Sequence, residues 1–307
     1  MSFDVLQDKI RAMKNPTVAG LDPKLEYIPP HILEHQIALH GTTLRAAAEA
    51  VLAFNCGLID ALCDIVPAVK PQSAYYEMLG SCGIEALERT IQYAKSKDLF
   101  VIADIKRGDI GSTAAAYSQA YLDCVSIGSE TFEPFPCDAV TVNAYLGSDG
   151  LRPFLETCEK RDKCIFALVK TSNPSSGELQ DLIAGDRFVY TVVGDLIQRL
   201  GKGTEGQYGF SRMGAVVGAT YPMDLRSLRR RLEHVFFLVP GYGAQGGSGD
   251  DVRHAFNQFG HGAIVNSSRG IICAWQKTGK NGTDYQDAAR AAALEMRDDL
   301  RRFISIV

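Results

Sequence analysis

The chain has 307 residues, of which 46% are hydrophobic and 22% charged, with a formal net charge of −4. This is the balance of a soluble globular protein, and the acidic excess argues against a broad nucleic-acid footprint. No apolar run approaches the ~20 residues that span a bilayer, and the opening MSFDVLQDKIRAMKN carries acids where a signal peptide needs an apolar segment.

Taken in order, the chain alternates short apolar runs with helical patterns. Residues 17–21 lead into Asp22-Pro23. Ala68-Val69 leads into Lys70-Pro71-Gln72, and 100–105 into Lys106. Residues 139–142 run into Asn143, 164–169 into Lys170-Thr171-Ser172, and 215–217 into Gly218-Ala219-Thr220. Residues 235–239 run into Pro240-Gly241, and 263–265 into Asn266-Ser267-Ser268-Arg269. Nearly all are continuous apolar runs, as expected of parallel strands covered on both faces.

Helical periodicity fills the gaps. Leu44, Ala47, Ala48, Val51, Leu58 and Leu62 share one face, as do Ile84, Leu87, Ile91 and Ala94. Val189, Val192, Val193, Leu196 and Leu200 mark a third. A C-terminal helix over 285–303 carries Ala289, Ala292, Met296, Leu300 and Phe303. Eight alternations in one chain of this length predict an α/β protein, a (β/α)8 barrel in a single domain over 1–307. A doubly wound sheet is the alternative. Helical insertions are expected near 27–40, 129–136 and 271–284.

The polar residues fall at the strand ends: Asp22, Lys70, Asp104 with Lys106, Asn143, Ser172, Gln245 and Arg269. In a barrel these ends converge on one rim, where such enzymes place their sites. The densest stretch is FVIADIKRGDIGSTAAAY, residues 100–117. Asp104 and Lys106 are two apart, so on a strand they share a face. Asp109 follows the Arg107-Gly108 turn, and Ser112-Thr113 is placed to cap a helix beginning near Ala114. Two carboxylates around one ammonium favour its charged form. Alone, a D-x-K-x-x-D pattern also describes a surface ion-pair ladder.

Pro240 to Gly247 reads PGYGAQGG and formally contains G-x-G-x-x-G. It lies late in the chain, with no acid about 20 residues on to hold a ribose, so a phosphate cradle fits better than a dinucleotide site. Asn266-Ser267-Ser268-Arg269-Gly270 supplies the second half, since loops after strands seven and eight are the usual phosphate site of these barrels. The polar 170–177 segment suits a lid or a plain solvated loop. The six histidines are dispersed, which argues against a metal site. The run Arg226 to Arg231 reads as a solvated helix face. Eight scattered cysteines without a C-x-x-C read as reduced thiols of a cytoplasmic protein.

Four motifs together carry a resemblance: Gly20-Leu21-Asp22-Pro23, Val69-Lys70-Pro71-Gln72, Asp104 to Thr113 (DIKRGDIGST) and Pro240 to Gly247. In this order they resemble the orotidine 5′-phosphate decarboxylase family, most closely its longer bacterial, type 2 branch, from Gly20 to Arg269. The resemblance implies a cofactor-free decarboxylation of orotidine 5′-phosphate to uridine 5′-phosphate, the last step of UMP synthesis. It implies that Lys70, Asp104, Lys106 and Asp109 form a charged tetrad, with Lys106 donating a proton to C6. Asp109, with Ile110 and Thr113, would be contributed to a neighbouring subunit's site in a homodimer. Asp22 would bind ribose hydroxyls and Ser172 the pyrimidine edge. Gln245 and Arg269 would hold the phosphate, with backbone help from Gly246 and Ser268.

Two other functions fit parts of the pattern. A metal-dependent sugar-phosphate decarboxylase or aldolase would need a further acid beside Asp104, and Lys70 stands where it would be. A non-catalytic phosphonucleotide binder would not need an alternating charge cluster, whose burial costs stability.

Overall fold

The computed structural model describes residues 2–243 and 246–307. Eight parallel strands close a barrel: β1 Thr17–Leu21, β2 Ala68–Pro71, β3 Phe100–Arg107, β4 Ala139–Val142, β5 Cys164–Lys170, β6 Met213–Val217, β7 Phe237–Val239 and β8 Ala263–Ser267. Each pairs with its sequence neighbours, and β1 closes the ring on β8. The eight apolar runs of the sequence are these eight strands, and the doubly wound alternative falls.

The strand period of two divides every run between two cores. Ala19, Val69, Val101, Val140, Ala167, Ala215, Phe237 and Val265 face outward into the layer of helices. Val18, Ala68, Phe100, Ile102, Phe166, Phe236, Leu238 and Ile264 face inward and fill the barrel. The N-terminal helix, Ser2–Met13, adds Phe3, Leu6 and Ile10 to this inner core. Phe3 stacks on Phe236 with centroids 4.8 Å apart and meets Phe166 edge-on at 5.1 Å. It therefore closes the end of the barrel where the strands begin.

The helix positions follow the sequence more closely than their buried faces do. In helix Leu44–Leu62, Leu44 is exposed while the rest of the expected face is buried. In helix Val189–Gly201 the buried residues are Tyr190, Gly194, Ile197 and Gly201. Val193, Leu196 and Leu200 of the expected face pack against the core but are only partly buried, and the two glycines, which carry no apolar signal, are buried with Tyr190 and Ile197. The last helix spans Tyr285–Arg301 and buries Ala293 in place of Ala292, leaving Phe303 exposed beyond its end. The helix after β3 begins at Gly111, not Ala114; its N-cap is Ile110 with no side-chain cap, so Ser112 and Thr113 lie within the first turn.

The basic run is not uniformly solvated. Helix Pro222–Arg231 turns Arg229 inward beside Leu225 and Leu228, because positions three and four apart share a face. The Arg229 guanidinium lies 4.2 Å from the Phe237 ring centroid and donates to the carbonyls of Ala255 and Gly262. Burial lowers its pKa to about 9.

Of the segments beyond the common barrel plan, 27–40 holds helix Pro30–His40. Near 129–136 the insertion is not helical: the strands Val125–Ile127 and Glu130–Phe132 form an antiparallel hairpin before β4. Residues 271–284 include the short helix Ala274–Lys277. From it, Trp275 Nε1 donates to the Tyr27 carbonyl at 3.0 Å, joining the first and last segments. Among the described residues, no helix is long and apolar enough to cross a membrane.

Candidate active site

The carboxyl ends of the strands surround a cavity of about 630 Å³. Its floor is Leu168, Val216 and Leu238, inward-facing residues of β5, β6 and β7. Above that apolar layer the same inward phase carries polar groups: Lys70 on β2, Asp104 and Lys106 on β3, and Thr141 on β4. The expectation that Asp104 and Lys106 share a face holds.

Asp104 is the hub of the wall. Its Oδ2 accepts from Lys70 Nζ at 2.6 Å and Gln72 Nε2 at 3.0 Å. Its Oδ1 accepts from Lys106 Nζ at 2.5 Å and Thr141 Oγ1 at 2.8 Å. Four donors thus fix both oxygens of a buried carboxylate, as charge burial requires. Burial pushes the Asp104 carboxyl up, but the two ammonium groups reverse this and hold it well below the usual carboxylate range. Burial likewise presses the Lys70 ammonium down, and Asp104 and Asp22 outweigh it, so its net shift is upward. Lys70 stays charged through the neutral range.

Lys106 differs from its neighbours. Its side chain is 44% exposed, against 6% for Lys70 and 7% for Asp104. Within the chain, Lys70 and Asp104 are therefore a buried pair, with Lys106 open to the cavity. Lys106 has φ 47°, a left-handed conformation that costs a non-glycine residue of order 1 kcal/mol. The β3–β4 register shifts between Ala103 and Arg107. The Lys106 N–H donates to Thr141 Oγ1 at 3.0 Å, so one hydroxyl steadies both the strained backbone and Asp104.

Asp109 does not join this cluster within the chain. It lies outside the cavity lining, and its Oδ1 accepts from the Ile110 N–H at 2.8 Å. Ile110 and Thr113 also lie outside the lining and are exposed.

The other walls are less densely bonded. Asp22 and Asn266 line the cavity, and an oxygen of each, Asp22 Oδ1 and Asn266 Oδ1, is buried without a hydrogen-bond partner among the described residues. Lys70 Nζ stands 3.9 Å from Asp22 Oδ1. Gly20, beside Lys70 in the sheet, is required here: a Cβ would come within 1.9 Å of Ser268 Oγ. Ser268 and Arg269, after β8, share a wall with Gly241 and Tyr242, after β7. Arg269 has no ion-pair partner among the described residues, which leaves its guanidinium available to an anion. Tyr242 donates to Asp299 Oδ2 at 2.8 Å. Gln245 lies outside the described residues. Gly246 is not in the lining, and its N–H donates to the Gly243 carbonyl at 2.8 Å.

Ser172 lines the cavity with Thr171 and Asn173, as the strand-five ending suggested. Gln72, Thr141 and Gln180 carried no assigned role in the sequence. Two had a legible signal: Gln72, just past β2, and Thr141 on β4 are polar residues on the inward phase, two residues after Lys70 and two before Asn143. Gln180 had none, because the fold of the loop after β5 brings it back to the cavity. Among the described residues no three His, Cys, Asp or Glu converge as metal ligands.

A closed parallel barrel with a charged cavity at the strand ends places this chain among the (β/α)8 barrel enzymes. A profile described as "Orotidine 5'-phosphate decarboxylase / HUMPS family" matches residues 36–280. An orotidine 5′-phosphate decarboxylase of Rhodopirellula baltica is 44% identical over 93% of this chain and 94% of its own. One from Clostridium perfringens is 39% identical over 99% of both chains. The solved structure of Leishmania donovani OMP decarboxylase superposes with a TM-score of 0.73 at 31% identity, covering 98% of each chain. The chain belongs to the orotidine 5′-phosphate decarboxylase family and is a carboxy-lyase of that family.

Proposed function

We propose that this protein converts orotidine 5′-phosphate to uridine 5′-phosphate in UMP synthesis, without a cofactor, using Lys106 as the proton donor. The observation that carries this reading is the Lys70–Asp104–Lys106 chain on the cavity wall, with only the last ammonium open to the cavity. Breaking the C6–carboxylate bond releases carbon dioxide and leaves the electron pair on C6. A fixed ammonium beside that carbon stabilises the pair electrostatically as it develops, and a proton passed from Lys106 Nζ then forms the C6–H bond. Asp104 keeps the ammonium aimed, and Lys70 balances the charge behind it.

The remaining roles follow the walls. Asp22, with an unsatisfied oxygen at the cavity, takes a ribose hydroxyl. Ser172 meets the pyrimidine edge. Arg269 and Ser268 hold the phosphate, joined by Gln245 and by the Gly246 amide, which would exchange its bond to Gly243 for the phosphate. Binding at that remote end supplies free energy to organise the site.

Asp109, Ile110 and Thr113 reach a second subunit's cavity in a homodimer. Ile110 is 53% exposed and Tyr145, on the adjoining loop, 78%, and apolar exposure of this kind beside a site favours a subunit contact. The eight free cysteines suit a reducing cytoplasm.

The test is a spectrophotometric assay with orotidine 5′-phosphate, with and without EDTA. Chelator-independent conversion to uridine 5′-phosphate is the expected result. A folded dimer that leaves the substrate intact, or turnover abolished by EDTA, would sink the reading.

A further inference from the structure

Lys170 ends β5 fully buried, yet the chemistry proposed above does not use it. A buried ammonium needs compensation. Its Nζ pairs with the carboxylate of Asp181, 11 residues further on. It also lies 4.5 Å from the ring centroid of Tyr221 and 5.4 Å from that of Tyr190.

A second clasp lies one residue inside the first. Gln180 Oε1 accepts from the Thr171 N–H at 2.9 Å, and Gln180 Nε2 donates to Thr171 Oγ1 at 2.8 Å. Both groups of the Gln180 amide are therefore set by the opposite side of the loop. Each base of the loop is also tied to the scaffold. The Lys170 carbonyl accepts from the Gly218 N–H at 2.7 Å, and the Gln180 carbonyl from the Tyr190 N–H at 3.0 Å. Ser172 lies so close to β6 that a Cβ on Gly218 would come within 3.0 Å of its backbone nitrogen.

Residues 172–179 are thus a loop pinched shut at its base, with Ser172 and Asn173 of the loop and Gln180 of its base lining the cavity. Among the described residues, lifting Asp181 away would leave the Lys170 ammonium in a low-dielectric site with aromatic faces alone. That penalty opposes opening at the base and confines motion to the loop's tip.

We propose that Lys170 is a positioning residue: through Asp181 it clamps the base of the 171–181 loop, so that Ser172 and Gln180 meet the substrate from fixed places. The consequence for turnover rests on the reading of Ser172 as a pyrimidine contact. Asp181→Asn is the leading test, because Asp181 is 41% exposed and its loss leaves the barrel wall intact. Lys170→Arg keeps the charge, and Lys170→Met removes it.

In Asp181→Asn, amide hydrogen exchange across 171–181 should quicken by about 10-fold or more, with the barrel strands unchanged. The kcat/KM for orotidine 5′-phosphate should fall by about 10- to 100-fold, with Lys170→Arg closer to wild type than Lys170→Met. Ser172→Ala should cost far less in the Asp181→Asn background than in wild type, since both act on one contact. Unchanged loop exchange, faster exchange with normal kcat/KM, or additive effects of the two substitutions would each overturn the proposal. A wild type inert toward orotidine 5′-phosphate would sink the functional reading alone, because the exchange comparison reads the clasp without substrate.

Discussion

The two ends of the barrel are built from the same strands and from the same inward phase, yet they hold opposite chemistry. Where the strands begin, Phe3, Phe166 and Phe236 pack ring against ring and every inward residue is apolar. Two to four residues further along, the same phase carries Lys70, Asp104, Lys106 and Thr141. One end is satisfied by dispersion and the exclusion of water. The other holds buried charge that replacement by apolar residues of similar volume would render cheaper. The lesson is a division of labour along a single strand: the lower layer supplies stability, and the upper layer spends part of it to hold an electrostatic site in place.

The sharpest way to break this comparison is at the outermost charge. Lys106→Ala should lower turnover of orotidine 5′-phosphate by about 10⁴-fold or more, while binding of uridine 5′-phosphate and thermal stability change little. A near-normal kcat would remove Lys106 from the chemistry.

At the opposite end the expectation reverses. Phe3→Ala should cost about 3 kcal/mol or more in stability by opening a cavity among Phe166 and Phe236, with kcat unchanged below the unfolding transition. Urea denaturation beside steady-state kinetics checks both halves. A fall in kcat in the folded enzyme would show that the ends are coupled.

Asp104→Asn tests the point where the layers meet, since it should damage both properties. It leaves Lys70 buried with Asp22 as its only nearby carboxylate among the described residues, at a cost of about 3 kcal/mol near neutral pH. The sign with pH follows from the shifts. The Asp104 pKa is depressed in the folded state, so its contribution is fully present above the unfolded value, about 3.9, and is lost as pH falls below it toward the lower folded value. The Lys70 pKa is raised, so its contribution is present below about 10.4 and is lost as pH rises through the higher folded value. The stability gap between wild type and Asp104→Asn should therefore hold from pH 5 to 9 and narrow in acid; a gap that widens in acid would contradict the assignment.

The smallest effect is expected at the phosphate wall. Arg269→Ala should weaken orotidine 5′-phosphate and uridine 5′-phosphate by about 10- to 100-fold, the worth of hydrogen bonds to a charged group, and leave binding of the unphosphorylated nucleosides unchanged. Equal weakening of both would place Arg269 elsewhere.

Much of this was legible in the residues themselves. Eight apolar runs ending in polar groups define the barrel and its rim, because strands covered on both faces must be apolar throughout except where they open onto a cavity. The pairing of Asp104 with Lys106 was readable for the same reason: a spacing of two on a strand means one face. Helix faces were less readable, since Gly194 and Gly201 make contacts that no hydropathy pattern marks. Arg229 looked solvated by composition and is buried by helical phase.

The sequence alone determined the order of elements, the inward and outward phase of each strand and the residue types brought to the rim, all properties of local period. Only the tertiary structure decided which of these groups meet. It aimed four donors at Asp104, turned Asp109 out of its own chain's cavity, left Lys106 open while burying Lys70, and folded Asp181 back onto Lys170. Those outcomes depend on barrel closure and loop path, which bring together residues from 11 to 37 positions apart in the chain, and no period in the sequence encodes such distances.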